Sequence, residues 1–127
     1  MVRVETIMKR DVISVNREEN VFGASMLMRV LRVGSVLVKD SGKIIGIVTE
    51  ADIVRKVVSM NRIPEHICVE EIMSSPVVGI DQHRPIFEAA DMMEQNGTRH
   101  LAVTNQQDVV GVLSVRDLLH PVAVDDL

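Results

Sequence analysis

The sequence predicts a mixed α/β (α+β) fold made of two pseudo-symmetric β-α-β-β-α units. Residues 4–55, shifted by 65 positions, align without a gap on residues 69–120, with eleven identities. In both copies, short β-branched runs alternate in the same order with stretches of helical periodicity. A repeat of this length indicates a unit whose apolar face is covered by its neighbour. We therefore expect one module with two lobes, each marginal alone.

The first unit begins with a β-branched run at Val12–Val15, which predicts a strand. A helix follows, with Asn20 as a plausible N-cap. Its apolar residues recur at helical spacing and predict one core-facing side: Val21, Ala24, Met28 and Leu31. Two strand-like runs, 35–39 and 43–48, flank a tight-turn composition at 40–42, which is typical of a β-hairpin. A helix from Glu50 to about Ser59 closes the unit.

The second unit repeats this order. A strand is predicted at Val77–Ile80, a helix opens at Pro85, and a hairpin runs from Leu101 to Leu113. A short last helix is expected to end near Pro121. The predicted domain organisation is therefore repeat 1 at 1–57, a linker at 58–68, repeat 2 at 69–121 and a tail at 122–127.

Composition excludes several classes of function. The chain is 46% hydrophobic, with mean hydropathy +0.19 and a formal net charge of -4. It lacks Trp, Tyr and any basic run, so nucleic-acid binding is not expected. We expect no signal peptide, no membrane span and a cytoplasmic location. The single cysteine, Cys68, cannot form an internal disulfide and is expected to be a small buried hydrophobe. No spacing of His and Cys predicts a metal site.

One polar block recurs in both copies at the start of the closing helix. It consists of Gly46, Thr49 and Asp52, and again of Gly111, Ser114 and Asp117. A single copy is what a helix capping box requires, because its hydroxyl and carboxylate satisfy free N–H groups. Two copies in register favour a ligand site, and the two interpretations are compatible.

The repeat length, the element order and the doubled Gly-x-x-[Ser/Thr]-x-x-Asp block resemble a tandem pair of cystathionine-β-synthase (CBS) domains, known as a Bateman module. The resemblance covers residues 4–120. It implies two repeats packed sheet to sheet, whose clefts bind adenosyl ligands such as AMP, ADP, ATP or S-adenosylmethionine. It also implies a regulatory protein with no catalytic residues and no catalytic cofactor.

The resemblance assigns roles to the residues of the block. Asp52 and Asp117 would accept hydrogen bonds from ribose hydroxyls. Thr49 and Ser114 would offer a hydroxyl near free backbone N–H groups, where a phosphate oxygen is favoured.

Further ligand-binding positions follow from the same resemblance. Gly46 and Gly111 would allow a close approach of backbone or ligand. Adenine would lie against aliphatic side chains and hydrogen-bond to the backbone at Val12-Ile13 and Val77-Val78.

The two copies differ in charge. Arg99 and His100 precede the second hairpin, where the first copy has Gly34-Ser35, and Arg116 stands where the first copy has Ala51. Charge-assisted contacts to phosphate are the stronger ones, so we expect the second site to prefer a phosphorylated adenosine. Arg55 and Lys56 are expected at a solvated helix end.

The leading functional prediction is an adenosine-nucleotide or S-adenosylmethionine sensor. It would act through homodimerisation or through a separate, unknown effector protein. Some of the methionines on the helix faces would supply adaptable apolar surface for a second chain, with a core position as the alternative for each: Met26, Met28, Met92 and Met93. The alternative is a structural assembly module of the same fold that has lost ligand binding. An enzyme is not expected, because no nucleophile–base arrangement or phosphate loop is present.

Overall fold

The structure is a computed structural model that describes residues 1–119. The chain forms two compact units, of which one is a continuous stretch of the chain and the other combines two separate stretches. The contiguous unit is Ile13–Val77, whereas the split unit combines Met1–Val12 with the residues from Val78 onward. The predicted end of the last helix near Pro121 and the predicted tail 122–127 lie outside the described residues.

From the first strand of each unit onward the order of elements matches the predicted repeat, whereas the short helix at Val4–Ile7 was not predicted. In chain order the helices and strands are α1 (Val4–Ile7), β1 (Ser14–Asn16), α2 (Val21–Leu31), β2 (Ser35–Asp40), β3 (Lys43–Thr49), α3 (Glu50–Ile53), β4 (Gly79–Asp81), α4 (Ile86–Asn96), β5 (His100–Asn105), β6 (Asp108–Ser114) and α5 (115–119). The predicted helix from Glu50 to about Ser59 is α-helical only in α3 and continues as a π-helix over Val54–Val58. Short 3-10 turns lie at Pro64–His66 and Val69–Glu71.

Each unit contains one three-stranded sheet, and the two sheets have the same topology. β1 runs parallel to β2, which is antiparallel to β3, and β4, β5 and β6 are arranged alike. The registers match under the 65-residue shift, since Ser14 lies opposite Leu37 and Gly79 lies opposite Ala102. Even the irregularity is repeated, after Val38 in one sheet and after Val103 in the other. The duplication therefore preserves backbone pairing.

The first strand of each unit starts two residues later than predicted. β1 begins at Ser14 and β4 at Gly79, so Val12-Ile13 and Val77-Val78 precede the strands. β-branched residues favour extended backbone, but a strand is defined only where a neighbour pairs with it. The Ile13 carbonyl does accept a hydrogen bond from the N–H of Leu37, at the margin of that pairing.

Two short segments, here named arms, each pack on the strands of the other sequence repeat. The N-terminal arm (residues 2–9) lies in the split unit, and the linker arm (residues 67–74) lies in the contiguous unit. Equivalent hydrogen bonds attach them, because the N–H of Ile86 donates to the Val2 carbonyl and the N–H of Val21 donates to the Ile67 carbonyl. The compact units therefore do not coincide with the sequence repeats.

Both arms contribute to the apolar cores. The contiguous unit buries ten side chains in one cluster: Val21, Ala24, Met28, Val36, Val38, Val48, Val57, Ile67, Val69 and Ile72. The split unit buries Val4, Met8, Ile80, Ala89, Met93, Leu101, Val103 and Leu113. Separating an arm from its unit would expose several of these side chains, at about 1.5–3 kcal/mol for each large one.

Some predicted burial positions differ from the structure. Leu31, predicted on the core face of α2, is 45% exposed because the helix ends there and Arg32 turns into the left-handed region. Cys68 is only half-buried. Met28, predicted on the core face of α2, is a core residue, and so is Met93, for which a core position was the alternative to partner surface; Met26 is exposed. Asn20 does cap α2, accepting a hydrogen bond from the N–H of Gly23 at 2.7 Å.

Candidate ligand site

Thr49 and Asp52 form a closed capping box where β3 passes into α3. The Asp52 Oδ2 atom accepts from the Thr49 N–H at 2.9 Å and from the Thr49 hydroxyl at 3.2 Å. The Asp52 N–H donates back to Thr49 Oγ1 at 3.3 Å. The sequence prediction of a cap is therefore confirmed. The first two bonds engage one oxygen of the carboxylate and fix its orientation, and the third anchors the Thr49 hydroxyl.

Ser114 and Asp117 repeat this geometry where β6 passes into α5. Asp117 Oδ2 accepts from the Ser114 N–H at 2.8 Å and from its hydroxyl at 3.1 Å. The Asp117 side chain is 7% exposed, against 13% for Asp52. A buried carboxylate needs compensating donors. The box supplies two of them, and the second oxygen, Oδ1, points to a different group.

That group is a lysine in both units. Lys56 Nζ lies 3.0 Å from Asp52 Oδ1 and also donates to the Ile72 carbonyl at 2.9 Å. Lys9 Nζ lies 3.6 Å from Asp117 Oδ1. Lys56 is exposed near the end of the helical segment, as expected, and it also pairs with Asp52, a contact that the i,i+4 spacing could have predicted. No local pattern links Lys9 to Asp117.

The two glycines of the block make room for the arms. A Cβ at Gly111 would lie 2.8 Å from the Lys9 carbonyl oxygen, and one at Gly46 would overlap the Met73 side chain. Arm and strand are joined there by paired backbone bonds, as between Lys9 and Val112. Close packing of the arm accounts for these glycines, and their predicted role in ligand approach stays a prediction.

The basic residues singled out in the second repeat, Arg99, His100 and Arg116, lie close to Ser114 and Asp117 along the backbone. The Val115 N–H donates to the Arg99 carbonyl at 2.9 Å, and His100 lies opposite Ser114 in the β5–β6 ladder. Arg116 is within the motif itself, and the side chains of Arg99 and Arg116 are exposed. In the contiguous unit the corresponding backbone bond joins Glu50 to Gly34, with no cation at that position. The charge asymmetry predicted from sequence is present in the fold.

The remaining predicted positions, Val12, Ile13, Val77 and Val78, are partly buried and precede β1 and β4. Ile13 and Val78 pack against the cores of their units. Their carbonyls accept from Leu37 and Ala102, so these acceptors are already used in the sheets. Contact with adenine at these positions stays a prediction.

Within residues 1–119, no cluster of three or more His, Cys, Asp or Glu side chains is arranged to hold a metal ion. In the same part of the chain, no helix has the length and apolar character needed to cross a bilayer.

The family model of the CBS domain matches the chain twice, at residues 4–59 and 69–123. The chain belongs to the CBS-domain family. Each match includes one arm, one sheet and one capping box, so the family boundaries follow the sequence repeats rather than the compact units.

Related proteins support this membership. The uncharacterized protein MK0525 of Methanopyrus kandleri is 32% identical over 120 residues, which cover 93% of this chain but only 61% of that protein. A CBS-domain protein of known structure from Burkholderia ambifaria is 32% identical, with a TM-score of 0.94 and coverage of 99% and 97% of the two chains. The CBS domain pair of protein MJ0100 has the same fold at 21% identity, with a TM-score of 0.88 and 98% coverage of both chains.

Proposed function

We propose that this CBS pair is a regulatory module that binds an adenosyl ligand through Asp52 and Asp117. The observation that carries the proposal is the doubled carboxylate geometry. In each unit the capping box holds Oδ2 and thereby fixes the direction in which Oδ1 points. A vicinal ribose diol supplies two donors of the kind that Oδ1 accepts. A carboxylate that is already oriented loses little conformational freedom on binding.

A solved complex of the same fold supports the ligand class. The CBS domain pair of MJ0100 was crystallised with 5′-methylthioadenosine and S-adenosyl-L-methionine. Both ligands carry an adenosine with a ribose diol. We therefore propose AMP, ADP, ATP, S-adenosylmethionine or 5′-methylthioadenosine as the candidate ligands of this chain.

We further propose that the site at Asp117 prefers a phosphorylated adenosine. Three basic residues lie near Ser114 along the backbone: Arg99, His100 and Arg116. The equivalent positions of the other unit are Gly34, Ser35 and Ala51. Arg99→Ala should weaken AMP binding about tenfold and leave adenosine binding nearly unchanged, because only AMP carries the phosphate. An equal loss for both ligands would contradict the preference.

Output would come through self-association or a separate effector protein. The outward face of α2 presents an apolar stripe of exposed residues, Phe22, Met26 and Val30. The equivalent positions of α4 are Phe87, Asp91 and Gln95, of which only the first is apolar. An exposed apolar stripe on a helix favours a partner helix, and a second copy of the chain is the partner we propose.

Light scattering after size-exclusion chromatography tests this self-association. The wild type should be dimeric at micromolar concentration, and Val30→Glu should make it monomeric because a charge would be buried in the contact. The matched variant Gln95→Glu, on the polar stripe of α4, should stay dimeric. A monomeric wild type would overturn the proposed dimer.

Ligand binding is tested by a thermal-shift panel followed by calorimetry. AMP, ADP, ATP, S-adenosylmethionine and 5′-methylthioadenosine are compared with GTP. Ligand at about 100 times its Kd should add about 2.7 kcal/mol, which raises Tm by several degrees. Asp52→Asn and Asp117→Asn should each weaken one site by about tenfold or more, because hydrogen bonds to a charged acceptor are lost. Asp91→Asn, an exposed carboxylate on α4, is the matched control and should have no effect.

The alternative is an assembly module that no longer binds ligands. The apolar stripe on α2 and the internal lysine partners of both carboxylates favour it. A wild type that dimerises but shows no thermal shift with any adenosyl compound would support this alternative and overturn the sensor.

A further inference from the structure

The lysine partners of the two carboxylates come from positions that are not equivalent. Lys56 follows Asp52 by one helical turn, and its equivalent in the second repeat is Pro121. Lys9 lies on the N-terminal arm, and its equivalent is Ser74 on the linker arm. Each unit thus brings one ammonium to Oδ1 of its aspartate by a different route. Because the two lysines are at non-equivalent positions, the sequence duplication by itself does not account for the lysine–aspartate contact that both units have.

Each ammonium lies at the oxygen on which the proposed ligand depends. Oδ2 already accepts two hydrogen bonds from the capping box in both units, so Oδ1 is the main remaining acceptor. An ammonium at 3.0 Å from Asp52 Oδ1 uses part of that capacity and neutralises the charge that attracts a hydroxyl. A ribose hydroxyl must share the oxygen with the lysine or displace it.

We propose that Lys56 and Lys9 are built-in competitors that set how tightly each unit holds a ribose, an inference that rests on the proposed function. The two competitors differ in strength. Lys56 is 45% exposed and is held by two acceptors, Asp52 and the Ile72 carbonyl. Lys9 is 73% exposed, and within residues 1–119 its ion pair is the longer one, to Asp117 at 3.6 Å. The Asp117 site should therefore bind a neutral nucleoside more tightly than the Asp52 site does.

Competition at Asp52 also involves the linker arm. Ile72 is a core residue of that arm, and its carbonyl bond to Lys56 connects the arm to the helical segment that carries Asp52. A ligand that displaces Lys56 from Asp52 leaves this ammonium with the Ile72 carbonyl alone. Loss of the lysine would therefore change the affinity for the ribose, not only the stability of the unit.

Calorimetric titration of the full chain with adenosine tests the inference, because adenosine carries the diol but no charge. Lys56→Met, measured with Asp117→Asn present so that only the Asp52 site is titrated, should bind adenosine about two- to fivefold more tightly at low salt. Lys9→Met, measured with Asp52→Asn present, should gain less than about twofold. Lys43→Met, which removes an exposed lysine at the start of β3, is the matched control and should change nothing.

Two further measurements separate competition from other effects. Salt screens ion pairs, so raising NaCl from 50 to 500 mM should strengthen adenosine binding to the wild type. The adenosine affinity of the wild type should then approach that of Lys56→Met. With 2′,3′-dideoxyadenosine, which lacks the diol, the gain from Lys56→Met should disappear.

The outcomes are distinct. Unchanged or weaker adenosine binding by Lys56→Met, together with no strengthening by salt, would overturn the competition while leaving the sensor intact. A gain of the same size with dideoxyadenosine would overturn it as well. If the wild type and all variants bind neither adenosine nor any of the adenosyl compounds of the thermal-shift panel, the proposed function and this inference with it are overturned.

Discussion

The contiguous unit and the split unit share a backbone but not a charge distribution. Strand order, register and the bulge agree residue for residue under the 65-residue shift. Around the two aspartates the basic residues differ, with Lys56 in one unit and Lys9, Arg99, His100 and Arg116 in or near the other motif. Backbone pairing depends on many residues together, whereas a surface charge changes with one substitution. The two copies have therefore kept the same backbone scaffold, whereas the charged residues around their two aspartates have come to differ.

The units also differ in how the chain builds them. Ile13–Val77 supplies the contiguous unit with its own arm, whereas the split unit needs residues from both sides of it. Ile67, Val69 and Ile72 of the linker arm belong to the contiguous core. The difference predicts different behaviour when the chain is cut.

The largest expected effect is on fragments of equal length. Residues 13–77 should give a cooperative urea transition, because this fragment keeps the linker arm and the contiguous core. Residues 1–65, one sequence repeat with its own arm, should not, because they lack the three arm residues of that core and expose Val4 and Met8. Circular dichroism in urea measures both fragments. Equal cooperativity in the two would show that the arm exchange is unimportant for stability.

The next effect concerns the glycines against which the arms pack. Gly111→Ala should destabilise the chain by about 1–3 kcal/mol, because its Cβ meets the backbone oxygen of Lys9. Both Cβ atoms would also meet a flexible methionine, Met8 or Met73, but Gly46→Ala should cost less because the equivalent backbone oxygen, that of Ser74, lies at 3.0 Å rather than 2.8 Å. Chemical denaturation of the two variants measures the difference. A larger loss for Gly46→Ala would reverse this comparison of the arms.

A smaller effect is expected in the hairpin turns. Ser41 and Gly42 both have positive φ, and so do Gln106 and Gln107 at the equivalent positions. Glycine adopts such conformations without steric cost, so Gln107→Gly should stabilise the split unit by about 0.5–1 kcal/mol and Gly42→Gln should destabilise the contiguous unit. Thermal unfolding compares these two reciprocal changes. No gain in Gln107→Gly would mean that the turn carries no strain.

The smallest effect is a dependence on pH at a position where the split unit has an aspartate and the contiguous unit an asparagine. The His83 backbone N–H donates to Asp81 at 2.8 Å and lowers the pKa of that carboxyl, with further contributions from the His83 ring and Arg84. A lowered pKa in the folded state stabilises the protein above the unfolded pKa, and this stabilisation disappears as pH falls through the folded pKa. Asp81→Asn should therefore lower Tm at pH 7 and have less effect near pH 2–3. The contiguous unit has Asn16 there, so Asn16→Ala should show no such dependence.

The site was predictable where its contacts are local. Thr49 with Asp52 and Ser114 with Asp117 are three residues apart, so spacing alone predicts the capping boxes. Lys56 could have been found in the same way from its i,i+4 spacing. Lys9 could not, because its contact with Asp117 spans most of the chain and depends on where the N-terminal arm lies.

By itself the sequence determined the element order, the common register, the hairpin turns and the two boxed aspartates, because short spacings and hydrophobic periodicity decide these features. Only the tertiary structure decided which repeat each arm covers. The arms carry equivalent residues, Met8 and Met73, and the strands carry equivalent glycines, so both pairings look alike in sequence. The fold places Met8 against Gly111 and Met73 against Gly46, and this exchange brings Lys9 to Asp117.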